Sequence, residues 1–164
     1  MPALMQCLGA SYELTGPGGA RQVAARDFYQ GVYFTALGAG EILTGIRIPV
    51  PPEGHGWAYE KLKRKIGDYA TAAAAVVVTL AGGRVIHAAI GLTNVGDTPL
   101  FAAQAGAILV GSSLDAATVD RAAAAEAITA PASDGRGPAE YRTKMAGVML
   151  RRALARAAAR AARH

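Results

Sequence analysis

A single cysteine, Cys7, excludes a disulfide within the chain and any cysteine-built metal or iron–sulfur site. In the apolar stretch "PALMQCLGA" it reads as a small buried hydrophobe. Histidine is nearly as scarce: His55 falls in a Gly/Pro loop, His87 in a strand-like run, and His164 at the end. None stands at ligand spacing with a Cys, Asp or second His, so neither a metal site nor a metal hydrolase is indicated, and His87 reads as a surface or satisfied core residue. A nucleophile elbow is absent. "GPGGAR" lacks the Lys-Ser/Thr of a phosphate loop and the spacing of a dinucleotide fingerprint, and it reads, like "AGGRV", as a turn. Long apolar runs are missing too. The longest, Ala72 to Ala81, is broken by Thr79 and is too short to span a bilayer, and no basic leader precedes the first apolar stretch. A soluble intracellular protein is expected.

Negative charge thins out along the chain. Beyond Glu140 there is no acidic residue, while Arg142, Lys144, Arg151, Arg152, Arg156, Arg160 and Arg163 follow. With 6% aromatics overall and none interleaved among these arginines, the tail lacks the stacking residues of a single-strand nucleic-acid binder. It reads instead as a solvated helix face whose last arginines suit the negative end of the helix dipole.

What is present is a globular composition, 52% hydrophobic and 18% charged over 164 residues, with much of the apolar content supplied by alanine. Cores built this way are thin and closely packed. Residues 1–10 read as a short helix with Pro2 in its first turn. "SYELTG-PGG-ARQVAA" reads as two short strands around a turn, "RDFYQG" as a helical turn ending at Gly31, and "EILTGIRIPV" as a strand. Pro51, Pro52, Gly54 and Gly56 mark the best boundary. Three strand candidates follow, "WAYEKLKR", "ATAAAAVVVTL" and "RVIHAAIGLTN", the last two joined by a Gly-Gly turn. From Thr98-Pro99 onward the pattern is helical. "FAAQAGAILVG" ends at Gly111, Ser113 or Asp115 caps "LDAATVDRAAAAEAI", and a long final helix has Pro138 in its first turn. Its Tyr141, Met145, Val148 with Met149, and Arg152 trace one expected stripe. The fold class is α+β.

One stretch poses a chemical question. "YEKLKRKIGDYATAAAAVVVTL" crowds Lys61, Lys63, Arg64 and Lys65 against Gly67-Asp68-Tyr69 and a buried strand. The plain reading is an edge strand whose lysines discourage aggregation, a Gly-Asp turn and a half-buried aromatic. The sharper reading is that Lys61 and Arg64 face an anion while Tyr69 offers a flat ring to a cofactor.

This stretch, together with "MPALMQ", "ARDFYQGVYFTALGAGEILTGIRIPVPP", "GLTNVGDTPL" and "SDGRGPAEYRTKMAGVMLRRAL", closely resembles the FAD-binding flavoprotein subunits of the xanthine dehydrogenase class. Within that class it is most similar to the medium subunits of aerobic molybdenum-containing carbon monoxide dehydrogenases, and the resemblance covers essentially the whole chain. It implies that residues 1–52 are the end of the second lobe of an FAD-binding domain. It also implies that 53–164 are the C-terminal domain, a three-stranded antiparallel sheet with a three-helix bundle. On this resemblance the first lobe, with its pyrophosphate-gripping glycines, lies outside the chain. The implied activity is oxidoreductase electron transfer from the iron–sulfur clusters of a small subunit, through FAD, to an external acceptor. Molybdenum chemistry would belong to a large subunit of the same heterotrimer, itself dimerised. The resemblance further implies that Tyr69 covers the isoalloxazine ring, that Lys61 reaches its polar edge, and that Leu37 and Leu43 pack near it. Asp68 belongs to the same cofactor-binding set, and Tyr33 is a weaker candidate. No catalytic residue proper and no metal ligand are implied, since FAD carries the redox chemistry. No nucleic acid is implied, and any membrane association would run through the electron acceptor. The alternative is a scaffold domain that keeps this fold without FAD.

Overall fold

The computed structural model describes residues 1–124, 129–133, 135 and 137–163. A short helix α1 (Pro2–Cys7) opens the chain, followed by the antiparallel hairpin β1 (Ser11–Gly16) and β2 (Gly19–Ala24). One helical turn, α2 (Ala25–Phe28), leads into the small hairpin β3 (Tyr29–Gly31) and β4 (Phe34–Thr35). β5 (Ile42–Arg47) then returns to pair with β1, giving a three-stranded sheet in the order β2-β1-β5.

After the Pro/Gly segment come β6 (His55–Leu62), β7 (Ala72–Ala81) and β8 (Arg84–Thr93), and a two-residue β9 (Leu100–Phe101) completes a four-stranded sheet in sequence order. Helices α3 (Ala103–Leu109), α4 (Ala116–Ala124) and α5 (Ala139–Ala161) follow. The architecture is therefore the expected α+β, with β9 as a small addition to the three long strands. Of the two caps expected for α4, Asp115 rather than Ser113 is the one formed: its Oδ1 accepts from the Thr118 amide at 2.9 Å. The expected end of that helix, 125–128, lies outside the described residues, as does His164.

β7 is the centre of the molecule because it is covered on both faces. Ala72, Ala74, Val76 and Val78 point to the main core with Ile90 and Leu92 of β8, Leu109 of α3 and Leu150 and Leu154 of α5. Ala75 and Val77, with Ala89, point the other way, toward Cys7 of α1. Gly91 lets α1 lie directly on β8, since a Cβ there would stand 2.5 Å from the Ala3 carbonyl oxygen. Cys7 is buried as expected: its Sγ donates to the Ala75 carbonyl at 3.4 Å, and burial pushes the thiol up to about 12.

α1 also joins the two modules. Met5 enters an aromatic core with Tyr12, Leu14 and Phe28, while Leu4 and Leu8 pack, half-buried, against both this core and the α1 face of β7. Beyond that core the first sheet is bare. Ile42 is 65% exposed, and Leu43, Ile46, Ile48 and Val50 are exposed beside it.

The buried stripe of α5 differs in phase from the expected one. Arg142, Ala146, Met149, Leu150, Ala153, Leu154, Ala157 and Ala161 face the sheet, while Tyr141 and Arg152 are exposed and Met145 and Val148 are half-buried. Small side chains set this phase at the C-terminal end of the helix, where Gly56 and Ala58 of β6 admit Ala157 and Ala161 closely, while Met149, Leu150 and Leu154 fill the wider part of the core. The basic tail is bound to the protein surface. Arg151 pairs with Asp120 at 2.7 Å, Arg156 with Glu60 at 2.5 Å, and Arg160 stacks over Trp57 at 3.9 Å from the ring centre.

Candidate functional site

The loop between β6 and β7 carries Tyr69, and its base is closed by the Thr71 amide donating to the Leu62 carbonyl at 2.8 Å. Gly67 turns it at φ +84°, a conformation glycine adopts without strain. The Asp68 carboxylate accepts from the Tyr69 amide at 2.9 Å, and Lys61 Nζ donates to the Asp68 carbonyl at 2.9 Å. Arg64 reaches across to the Gly135 carbonyl. All four crowded cations are exposed, and two of them, Lys61 and Arg64, shape the loop by binding backbone oxygens. The Tyr69 ring is 80% exposed, far more than the half-buried aromatic of the plain reading.

Behind the loop, Asn94 leaves β8 at φ +63° and its amide Nδ2 donates to the Ala70 carbonyl at 2.5 Å. Arg142, 3% exposed in the first turn of α5, donates through Nε to the Thr71 carbonyl at 3.2 Å and through its two Nη atoms to Ala132 and Asn94. A hollow of about 390 Å³ opens beside Tyr69, bounded by Ala3, Thr93, Asn94, Asp97 and Pro99.

Tyr69, Lys61 and Asp68 are brought together in this loop. Leu37 and Leu43 are not part of it. Both are exposed on the first module, Leu37 in the segment after β4 and Leu43 within β5. The Leu37 segment is held by Glu41, whose carboxylate accepts from the Gly38 amide at 2.6 Å and from Arg21 Nε and Nη2 at 2.7 Å each. These donors lower the Glu41 carboxyl to about 2, with the Arg21 hydrogen bond the largest cause. Tyr33 is fully exposed at the tip of the β3–β4 hairpin with φ +64°. Sequence reading passed over Asn94 and Arg142; the signals were an Asn after a strand run, suited to positive φ, and an arginine adjoining the apolar stripe of a helix.

Among the described residues no group of three His, Cys, Asp or Glu side chains is placed to hold a metal, and no helix is long and apolar enough to cross a membrane. The residues that are present suit the ring end of a flavin: an exposed aromatic plane on a backbone tied down from both sides, with the Lys61 cation bound to the carbonyl of the residue before Tyr69.

Comparison with known proteins gives the class. Residues 57–157, more than half of the chain, match the CO dehydrogenase flavoprotein C-terminal domain, and the chain belongs to that family. Residues 1–51 match the FAD binding domain in molybdopterin dehydrogenase. More particularly, the chain is 76% identical over 162 residues to the carbon monoxide dehydrogenase medium chain of Afipia carboxidovorans, covering 98% of this chain and 56% of that one. It is 48% identical to the corresponding medium chain of Hydrogenophaga pseudoflava, with the same coverage. Its fold superposes on the reconstituted CO dehydrogenase from Oligotropha carboxidovorans with a TM-score of 0.96 at 75% identity, over 98% of this chain and 56% of that chain. The chain therefore spans a little over half the length of these relatives.

Proposed function

We propose that these residues form the ring-facing part of an FAD-binding electron-transfer subunit in a molybdenum hydroxylase of the carbon monoxide dehydrogenase type. In this reading 1–52 close the FAD-binding domain and 53–164 form the C-terminal domain. A small iron–sulfur subunit delivers electrons, a large molybdenum subunit oxidises the substrate, and an external acceptor collects the electrons. The protein is cytoplasmic, with any membrane association arising through that acceptor. The observation that carries the reading is the Tyr69 ring, exposed yet mounted on a backbone held by Lys61, Asp68 and Asn94.

FAD, when bound, supplies the ring that takes up and releases electrons. The chain supplies position and environment. Tyr69 covers one face of the ring and excludes water from it. Lys61 holds the Asp68 carbonyl and places positive charge toward the ring's polar edge, and Asp68 fixes the Tyr69 amide. Leu37 and Leu43 offer apolar contact from the first module.

Stacking of one tyrosine is worth about 1 kcal/mol, a roughly fivefold effect on affinity. In the full-length subunit Tyr69→Ala is therefore expected to retain FAD at near-stoichiometric content while changing flavin fluorescence and reduction potential. A variant silent in both, with FAD bound, would show that Tyr69 only packs.

A further inference from the structure

We propose that Arg142 and Asn94 are positioning residues for Tyr69, holding from beneath the backbone that sets the direction of its ring. The inference rests on the reading of Tyr69 as the flavin-facing aromatic. Three carbonyls flank that residue, and each is taken by a different side chain: Asp68 by Lys61, Ala70 by Asn94 and Thr71 by Arg142. Arg142 does more than bind one of them. Its planar guanidinium also takes the carbonyls of Asn94 and Ala132, so a single cation ties the β6–β7 loop, the turn after β8 and the segment before α5 to the first turn of that helix.

Burying a guanidinium is costly unless its donors are met, and a nearby alanine- and valine-lined core gives no packing reason to place one here. Its donors meet backbone groups behind the exposed ring. Asn94 fits the same purpose, because its positive φ aims the carboxamide back at Ala70, and few residues other than glycine share that conformation. Lysine at 142 is a point charge without the fork needed to reach three separate carbonyls.

The test uses the full-length subunit with and without FAD, and compares Asn94→Gly, Arg142→Lys, Tyr69→Ala and the double variant Tyr69→Ala/Asn94→Gly. Glycine keeps the backbone conformation at 94 and removes only the tie to Ala70. Without FAD, amide exchange at Thr71 is expected to quicken about fivefold in Asn94→Gly, as for loss of one hydrogen bond. With FAD, Asn94→Gly and Arg142→Lys should keep the cofactor and shift flavin fluorescence in the same sense as Tyr69→Ala. The double variant should match Tyr69→Ala alone, because positioning has no effect once the ring is gone. If Arg142→Lys fails to accumulate, Asn94→Gly carries the comparison by itself. Additive effects in the double variant, or an Asn94→Gly protein with the wild-type spectrum while Tyr69→Ala differs, would overturn the proposal. A silent Tyr69→Ala would instead overturn the flavin reading beneath it, and that single variant reports it independently.

Discussion

Replacing Gly56 with alanine would place a methyl carbon 1.9 Å from the Ala157 carbonyl oxygen and 2.5 Å from the Ala161 amide nitrogen. Both are backbone atoms of α5, so no side-chain rotation relieves the clash. Ordinary contact needs a little over 3 Å, roughly the separation at which packed carbon and oxygen atoms meet, so the helix must retreat from β6 by more than an ångström. That retreat loosens the seam of Ala58, Ala72 and Ala74 against Ala153, Ala157 and Ala161, where closeness is the main source of contact. Overpacking of this kind costs about 3 kcal/mol, at the upper end of the usual range because the opposing atoms are main chain. For a chain of this size that corresponds to a fall in Tm of roughly 6–12 °C. Urea unfolding of wild type, Gly56→Ala and Gly82→Ala separates the mechanisms. Gly82 has φ +56° with nothing within 4 Å of a Cβ, so its substitution carries only the left-handed backbone penalty of about 1–2 kcal/mol. A Gly56→Ala protein within about 0.5 kcal/mol of wild type, the span of an ordinary surface change, would refute the close seating of α5.

Cys7 should resist alkylation in the folded protein, since a thiol near 12 rather than its ordinary 9.0 has about a thousandfold less thiolate at neutral pH; labelling at the same rate with and without denaturant would contradict its burial. Glu41 should titrate near 2 rather than 4.5, so its folded pKa lies below its unfolded one. The stabilisation it gives the Leu37 segment is present above pH 4.5 and is lost as pH falls through about 2, and Arg21→Ala should move the midpoint back up. NMR of the Gly38 amide against pH follows this directly, and a midpoint near 4.5 in wild type would contradict it. The 164 residues by themselves should bind FAD weakly, because ring stacking of about 1 kcal/mol falls far short of the roughly 8 kcal/mol of micromolar binding. Stoichiometric yellow protein surviving gel filtration would show that the chain grips more of the cofactor than its ring.

The elements that read well from sequence are those whose signal is local. The β1–β2 hairpin follows from its Pro-Gly-Gly turn, and β7–β8 from valine content and the Gly-Gly turn between them. The phase of α5 does not follow from side-chain bulk, because Ala146, Ala153, Ala157 and Ala161 face the core beside Leu150 and Leu154 while Tyr141 faces solvent. β9, two residues long, leaves no periodicity to detect. At the candidate site the loop from Lys61 to Tyr69 was visible as a motif. Its support was not, because Arg142 meets Thr71 across 71 positions and Asn94 meets Ala70 across 24. Ile42 is exposed on the first sheet, whereas Leu4 and Leu8 are half-buried because α1 lies between the two modules.

The placement of Tyr69 against the flavin is the central claim, and the fluorescence lifetime of FAD in the full-length subunit tests it most directly. A phenol stacked on the ring quenches the excited flavin by electron donation, and phenylalanine keeps the stacking surface while removing that donor. Wild type should show a strongly shortened lifetime, and Tyr69→Phe should lengthen it without loss of FAD. Equal lifetimes in the two proteins, each carrying its cofactor, would place the Tyr69 ring away from the flavin and contradict the account.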